Sequence, residues 1–380
     1  MAGNKQKKLK SVQAAKARRN RQNRRRKRAF ILVLEVIILS LLMGTAYVMA
    51  KYDKFQTVAI NKDDIEINEG VKREGYTTVA VFGGDSREGQ LEEGTHADTI
   101  MVVAINHETG EICMSSVYRD TLLQQGDNTY LKANSAYFNG GPEEAINMLN
   151  KNLDLDIQDY VTVDFKALVD AIDLLGGIEL EVTAEEVDML NQYLVETASV
   201  AGTESSYLEG PGTYNMDGAQ AVTYARLRKL EGGDFKRAER QRIVIQKMFD
   251  KAMKTNISTI NEIVDTVFPQ VSTSFSLKEL IALASDITRY EIGGSTGFPI
   301  DKTSMMYGNV GSIVVPVGHV ENVEQIHTVL YPDEPYTASE TVQFISDEIT
   351  YLTGVVRPTD YEGLDDGTGG TYYDAAISGV

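Results

Sequence analysis

A single cysteine stands in these 380 residues, so no disulfide can close within the chain. Cys113 falls in an apolar strand pattern and is assigned to packing. The four histidines, His96, His107, His319 and His327, are scattered, and no His/Cys spacing suits zinc. No internal repeat is evident. Positive charge is the scarcest commodity: residues 29–380 carry 24 Lys+Arg against 55 Asp+Glu, a net charge of −31. That balance leaves little for a nucleic-acid partner. Stability must come from an apolar core alone, and about 300 residues suffice for one large or two modest domains.

The positive charge that exists is concentrated in two places. Residues 1–28 hold thirteen Lys/Arg and no acid, and run into residues 29–50, a 22-residue apolar stretch broken only by Glu35. At 1.5 Å per residue such a helix is about 33 Å long, enough to cross a bilayer core. The expected arrangement is a cytoplasmic basic tail (1–28), a single-pass anchor (29–50), an extracellular stalk (51–75) and an outer domain (76–352), by the positive-inside rule. Val48-Met49-Ala50 would suit a cleaved signal peptide, but the apolar stretch is longer than a usual signal core. A nucleic-acid arm is the other reading of the basic run, made unnecessary by its junction with a span. Residues 353–380 are Gly-rich with few large apolar residues and are expected to be a disordered tail.

Within the outer domain, Tyr76–Gly83, Thr99–Ile105 and Glu111–Val117 are expected strands, the second apolar on both faces and hence central. The turn His107-Glu108-Thr109-Gly110 pairs Ile105 with Ile112 and Ile100 with Val117, which carries Asp98 opposite Arg119. An antiparallel first strand brings Asp85-Ser86-Arg87 to the same rim. Helices are expected from Gly141-Pro142, after the cap Asp164 as far as Leu175, after Asp217 to Arg226, from Phe235 to about Lys254, after the Ser276 capping box, and from Thr337 to about Leu352. Ile178–Val182 and Val310–Val317 complete the expected strands. The pattern predicts an α/β (α+β) sandwich, a mixed central β-sheet flanked by helices.

The second basic place lies between Arg226 and Arg242, where seven basic residues meet three acidic ones, a net +4 island. Arg237, Arg240 and Gln241 stand at i, i+3 and i+4, on one helical face. Cations in a first helical turn face the positive end of the helix dipole and call for a docked anion, with phosphate the obvious one. Asp85 and Asp98 supply hard oxygen ligands suited to Mg²⁺, with Mn²⁺ as the alternative, shared with substrate phosphates. Arg87 and Arg119 then flank the metal while Arg226, Arg228, Arg237 and Arg240 close the other side, the arrangement that neutralises a diphosphate. Lys132 and Asp120 are weaker candidates. Asp234 is expected at a helix N-cap, with a second reading as general base, and Asp120 behind it.

Six ordered motifs, Gly84-Asp85-Ser86-Arg87, Ala97-Asp98-Thr99-Ile100-Met101, Arg119-Asp120-Thr121, Lys132-Ala133-Asn134-Ser135-Ala136-Tyr137, Leu174-Leu175-Gly176-Gly177-Ile178 and Tyr224-Ala225-Arg226-Leu227-Arg228 with Arg237-x-x-Arg240-Gln241, together resemble the LytR-CpsA-Psr family. That resemblance implies a cell-membrane enzyme of Gram-positive type with its catalytic domain outside. It would move a glycopolymer from undecaprenyl pyrophosphate onto the muramic acid 6-hydroxyl of peptidoglycan. It also implies that Asp85 and Asp98 hold Mg²⁺, that Arg87, Arg119, Arg226, Arg228, Arg237, Arg240 and Gln241 grip the pyrophosphate, and that an apolar tunnel takes the isoprenoid. The chain departs from the family at His96, where many members have Arg. Two other readings remain: a lipid-pyrophosphate hydrolase with the same site, and a non-catalytic envelope scaffold or regulator that binds a polyisoprenyl phosphate.

Overall fold

The structure is a computed structural model that describes residues 47–54, 56–57, 60–84, 97–230 and 232–357. The expected tail 1–28, most of the expected anchor, the 85–96 segment with Asp85, Arg87 and His96, and residues 358–380 lie outside the described residues. The chain divides into two units, Met1–Lys54 and Phe55–Val380. In the first, residues 47–52 are helical. Among the described residues no helix is long and apolar enough to cross a membrane.

The second unit is built on a seven-stranded sheet. In chain order the strands are β1 (Gln56–Thr57), β2 (Tyr76–Gly84), β3 (Ala97–Asn106), β4 (Glu111–Val117), β5 (Leu122–Gln124), β6 (Tyr130–Lys132), β7 (Asp159–Asp164), β8 (Ile178–Val182), β9 (Gly212–Met216), β10 (Val271–Thr273), β11 (Glu291–Phe298), β12 (Lys302–Tyr307) and β13 (Gly311–Pro316). The sheet runs β1-β10-β7-β2-β3-β4-β11, and β5–β6, β8–β9 and β12–β13 are separate two-stranded ribbons. β3 is antiparallel to both β2 and β4, whereas β2 is parallel to β7 and β4 to β11. The sheet is therefore mixed, with the doubly apolar β3 inside it as its sequence demands. Ile105 faces Ile112 and Ile100 faces Val117, the register given by the four-residue turn.

Helices cover both faces. The Asn134–Leu153 and His319–Leu330 helices contribute Tyr137, Ile146, Leu149, Val323 and Ile326 to one core with Phe82, Ile100 and Val102. The Phe165–Leu174, Ala184–Ala201 and Gly218–Arg226 helices and the β8–β9 ribbon share a second core around Ile172, Leu180, Leu190 and Val222. Their ends follow from local chemistry. Asp164 accepts from the Ala167 N–H, Asp217 forms a capping box with Gln220, and Thr183 one with Glu186.

Four features differ from expectation. Of the seven sheet strands the sequence pattern predicts only β2, β3 and β4; β1, β7, β10 and β11 are additional, as are the ribbon strands β5, β6, β9 and β12. The helix expected to start at Gly141-Pro142 begins at Asn134 and is kinked at Gly140 and Gly141, where the backbone leaves helical geometry; Pro142 suits the first turn of the second segment. The Ala184–Ala201, Ile257–Val267 and His319–Leu330 helices are additional. The expected stalk is partly a strap: Lys62 pairs with Asp159 at 2.8 Å, Asn68 bonds Asp154 at 2.6 Å, and Arg73 meets the His327 Nδ1 at 3.0 Å. Ile60 and Ile65 pack on the core, so apolar side chains the stalk reading left in water are covered.

Candidate functional site

The site begins where β2 ends and β3 starts. Gly84 pairs with Ala97 and Gly83 with Thr99, so Asp98 is the extra, unpaired residue of an irregularity in β3 at this rim. Arg119, just after β4, reaches across and donates to the Asp98 carboxylate through Nη1, as strand arithmetic places it. Asp98 Oδ2 accepts no hydrogen bond among the described residues. Arg119 Nε also lies 3.7 Å from Asp120 and 3.6 Å from Asp234, and Lys132 pairs with Asp120 at 2.9 Å.

The second half comes from the turn between the Gly218–Arg226 and Gly233–Ala252 helices. The latter is capped by Gly232, with φ at 84° and no side-chain cap bond. A Cβ at Gly232 would collide with the Lys236 side chain as well as strain the backbone. Asp234 is therefore not the N-cap expected from sequence; it sits inside the first turn, and its carboxylate is free to pair. Its Oδ1 lies 2.7 Å from Arg228 Nε and 3.3 Å from Arg237 Nη1. One carboxylate thus holds three arginines. Burial pushes the Asp234 carboxyl up, but Arg237, Arg119 and Arg228 together outweigh it and hold it below the ordinary carboxylate value.

Arg237 is 6% exposed, donates to the Asp98 carbonyl at 3.0 Å, and keeps a buried Nε with no partner. Burial, set against the pull of Asp234, pushes its guanidinium below the ordinary arginine value. Burial also lowers Arg119, but Asp98 and then Asp234 reverse this, and its net shift is upward. Arg226 is held differently. Its guanidinium lies 4.6 Å from the centre of the Phe165 ring, and Nη1 donates to Thr197 Oγ1 at 3.2 Å. Among the described residues it has no carboxylate partner.

These groups converge. Asp98, Asp234, Arg226, Arg228, Arg237 and Gln241 line one cleft of about 670 Å³, together with Phe165, Tyr193, Thr197 and Lys229. Arg119 faces a small adjoining recess that shares Asp98, Asp234, Arg237 and Gln241. Arg240 is placed elsewhere. It is 7% exposed, pairs with Glu186 at 2.9 Å, and lies over the Tyr224 ring. The i, i+3, i+4 face is wider than the cleft: Arg237 and Gln241 reach it while Arg240 turns to its neighbouring helix. Lys132 remains with Asp120, and neither lines the cleft. Asp85, Arg87 and His96 are outside the described residues.

Sequence reading missed Phe165, Thr197 and Glu186. Thr197 and Glu186 belong to a helix it did not assign, although Thr183-x-x-Glu186 has the form of a capping box. Glu186 serves twice: Oε2 accepts from the Thr183 N–H and Oε1 from Arg240.

A divalent cation makes specific demands. No group of three or more acidic, His or Cys side chains able to hold a metal occurs among the described residues. One or two carboxylates completed by substrate phosphates suit Mg²⁺, and the open Oδ2 of Asp98 beside the arginines fits that donor set.

The LytR_cpsA_psr family model matches residues 43–325. Over 192 residues the chain is 31% identical to the polyisoprenyl-teichoic acid–peptidoglycan teichoic acid transferase TagV of Bacillus subtilis (strain 168), covering 49% of this chain and 47% of TagV. It is 30% identical over 230 residues to TagU of the same organism, a transferase of the same description, covering 59% of this chain and 68% of TagU. The chain thus matches about half the length of TagV. Structures of TagT share the fold: TM-score 0.57 at 19% identity for TagT bound to LI-WTA, over 73% of this chain and 98% of that one. For TagT with bound octaprenyl pyrophosphate lipid the TM-score is 0.51 at 17% identity, over 78% and 100%.

Proposed function

The chain belongs to the LytR_cpsA_psr family, and from that premise we propose that it is a membrane-anchored phosphotransferase with its domain outside the cell. In this reading it transfers a glycopolymer from undecaprenyl pyrophosphate to the muramic acid 6-hydroxyl of peptidoglycan. The supporting observation is the cleft in which Arg226, Arg228, Arg237 and Gln241 face Asp98.

The residues divide the work. Arg226, with no carboxylate partner among the described residues, is available to a phosphate, and its seat on Phe165 fixes the plane of its fork. Arg228 and Arg237 are held in place by Asp234 before substrate arrives, so little reorganisation is left for the reaction. Asp98, with Asp85, would hold Mg²⁺, which supplies charge neutralisation for the diphosphate. Arg87 and His96 belong to the same proposal as further phosphate contacts. Arg119 links Asp98 to Asp234 and stands by the phosphoryl group nearer the glycan. The acceptor oxygen forms a bond to that phosphorus as the bond to the lipid phosphate breaks, and the hydroxyl proton passes to a base or to water. Asp234, held acidic by three arginines, is a weak proton acceptor and a better clamp. Asp120, tied to Lys132, is the remaining carboxylate for that role. Lipid phosphate is a good leaving group, so electrostatic positioning outweighs the base.

The test measures lipid-phosphate release from a synthetic lipid-linked saccharide, with and without Mg²⁺ and with and without a peptidoglycan acceptor. Metal-dependent release with the saccharide joined to the acceptor is expected. Release to water alone means a hydrolase, and binding without release means a scaffold.

A further inference from the structure

We propose that the turn joining the Gly233–Ala252 and Ile257–Val267 helices docks on an anionic lipid surface. Two kinds of side chain meet there. Ile257, in the first turn of its helix, is 76% exposed, and Met253 is 36% exposed. They extend an apolar stripe, Ile257, Ile260, Ile263, Val264 and Val267, of which only Val267 is buried. The inner end of that stripe rests on Ala167, Ala171 and Val271, with Met248 of the preceding helix. Its outer end has no cover.

Lys251 and Lys254 flank the turn at that outer end and Lys247 stands about one turn back on the same helix, with Asp250 the one acid among them; among the described residues none of the three lysines has an ion pair. Their concentration is unusual in this chain. Residues 29–380 hold 24 Lys+Arg, of which seven lie between Arg226 and Arg242; 24 − 7 leaves 17, and three of those fall within these eight positions. Lysines with long apolar stems around protruding Ile and Met suit an interface of acyl chains and anionic headgroups. An acidic protein partner would meet the lysines but leaves two isolated apolar tips without a defined pocket. A bilayer accepts both, and a tether at residues 29–50, if it spans as its sequence predicts, would keep the surface at high effective concentration.

The absence of tryptophan from the chain supplies the reporter. Ile257→Trp, in the full chain reconstituted into vesicles, places a single tryptophan at an exposed position, excited selectively beyond the absorption of the tyrosines. In vesicles with about one third phosphatidylglycerol, its emission is expected to shift to the blue and be quenched by brominated acyl chains. Tyr351→Trp, at a side chain 84% exposed on another helix, is expected to show neither. Met253→Trp repeats the test at the neighbouring tip. Each lysine near an anionic surface contributes roughly fivefold in binding, so Lys247→Glu, Lys251→Glu and Lys254→Glu together are expected to remove the quenching. Emission of aqueous character in anionic vesicles from both reporters overturns the proposal. So does quenching that survives the triple charge reversal, or a blue shift that depends on protein concentration and not on lipid, which assigns the patch to a second copy.

Discussion

Arg226→Lys separates an anion-binding arginine from a structural one, because the substitution keeps the charge and removes the planar fork. In the structure the guanidinium touches Phe165 at 4.6 Å and Thr197 at 3.2 Å and has no carboxylate to lose. The folded state therefore forfeits the cation–π contact and the Thr197 hydrogen bond, together about 1–2 kcal/mol, or roughly 2–4 °C in a domain of this size. The fork's bidentate hydrogen bonds to phosphate have no counterpart in an ammonium. Their loss costs on the order of 1.5–3 kcal/mol, roughly tenfold to a hundredfold in rate. The assay is turnover of a lipid-linked saccharide at saturating Mg²⁺, paired with the thermal midpoint of the same preparation. A drop in turnover of that size with a nearly unmoved midpoint is expected. Near-native turnover refutes the assignment, and a midpoint loss well beyond 4 °C shows that Arg226 serves the fold instead.

Three further outcomes follow from the same geometry, and a fourth, at His96, from the sequence. Asp98→Ala should abolish divalent-dependent turnover while lowering stability by about 1–2 kcal/mol, since Arg119 loses its hydrogen-bonded carboxylate and keeps only the longer contacts to Asp120 and Asp234; unchanged metal dependence excludes Asp98 as a ligand. Arg240→Ala should destabilise by roughly 3 kcal/mol, because Glu186 loses its buried partner, and Glu186→Gln in that background should recover part of it; a fully stable Arg240→Ala with no turnover would return Arg240 to the phosphate site. Asp234 has a folded-state pKa below the ordinary 3.8, so its contribution to stability is complete above that value and lost as pH falls through the depressed one. Urea midpoints of wild type and Asp234→Asn should converge only at the acid end, and a constant gap down to pH 2 contradicts the ion-pair account. His96→Arg should flatten any fall of lipid-pyrophosphate binding between about pH 5.5 and 8; identical profiles leave His96 in solvent.

The β2–β3–β4 part of the sheet was legible because its determinants are local, whereas β1, β7, β10 and β11, which join it through distant pairings, were not. The β3–β4 register follows from a four-residue turn, and the Asp98–Arg119 pair follows from the register. The ends at Asp164, Asp217 and Ser276 were legible for the same reason, each being one side chain bonded to a nearby backbone N–H. What escaped depends on distant partners. Arg240 shares a helical face with Arg237, and only the position of Glu186 decides which points into the cleft. Asp234 looks like a cap until Gly232 takes the left-handed conformation and leaves the carboxylate free. Phe165 and Thr197 carry no signal of their own, since a ring beneath a guanidinium is defined by packing. The strap at 60–75 was read as a stalk because its polar residues find their partners up to 254 positions away.

That last separation bears on the order in which the chain can fold. Arg73 meets His327, and Thr78 meets Tyr331, across 254 and 253 residues, while Asp154 gathers Asn68 from one end and Tyr336 and Ser339 from the other. At about 5–20 residues per second of synthesis, the first partner waits roughly 13–50 s for the second. Local helices and the β3–β4 hairpin can form within microseconds of emerging, and Lys62 and Asn68 find Asp159 and Asp154 midway, but the Arg73 end of the strap cannot close until the chain is nearly complete. Closure of so long a loop makes the last step slow. Truncation before residue 327 should therefore free Arg73 and Thr78 from their late partners while Lys62 and Asn68 stay tied, and proteolysis near residue 73 should quicken relative to the full chain.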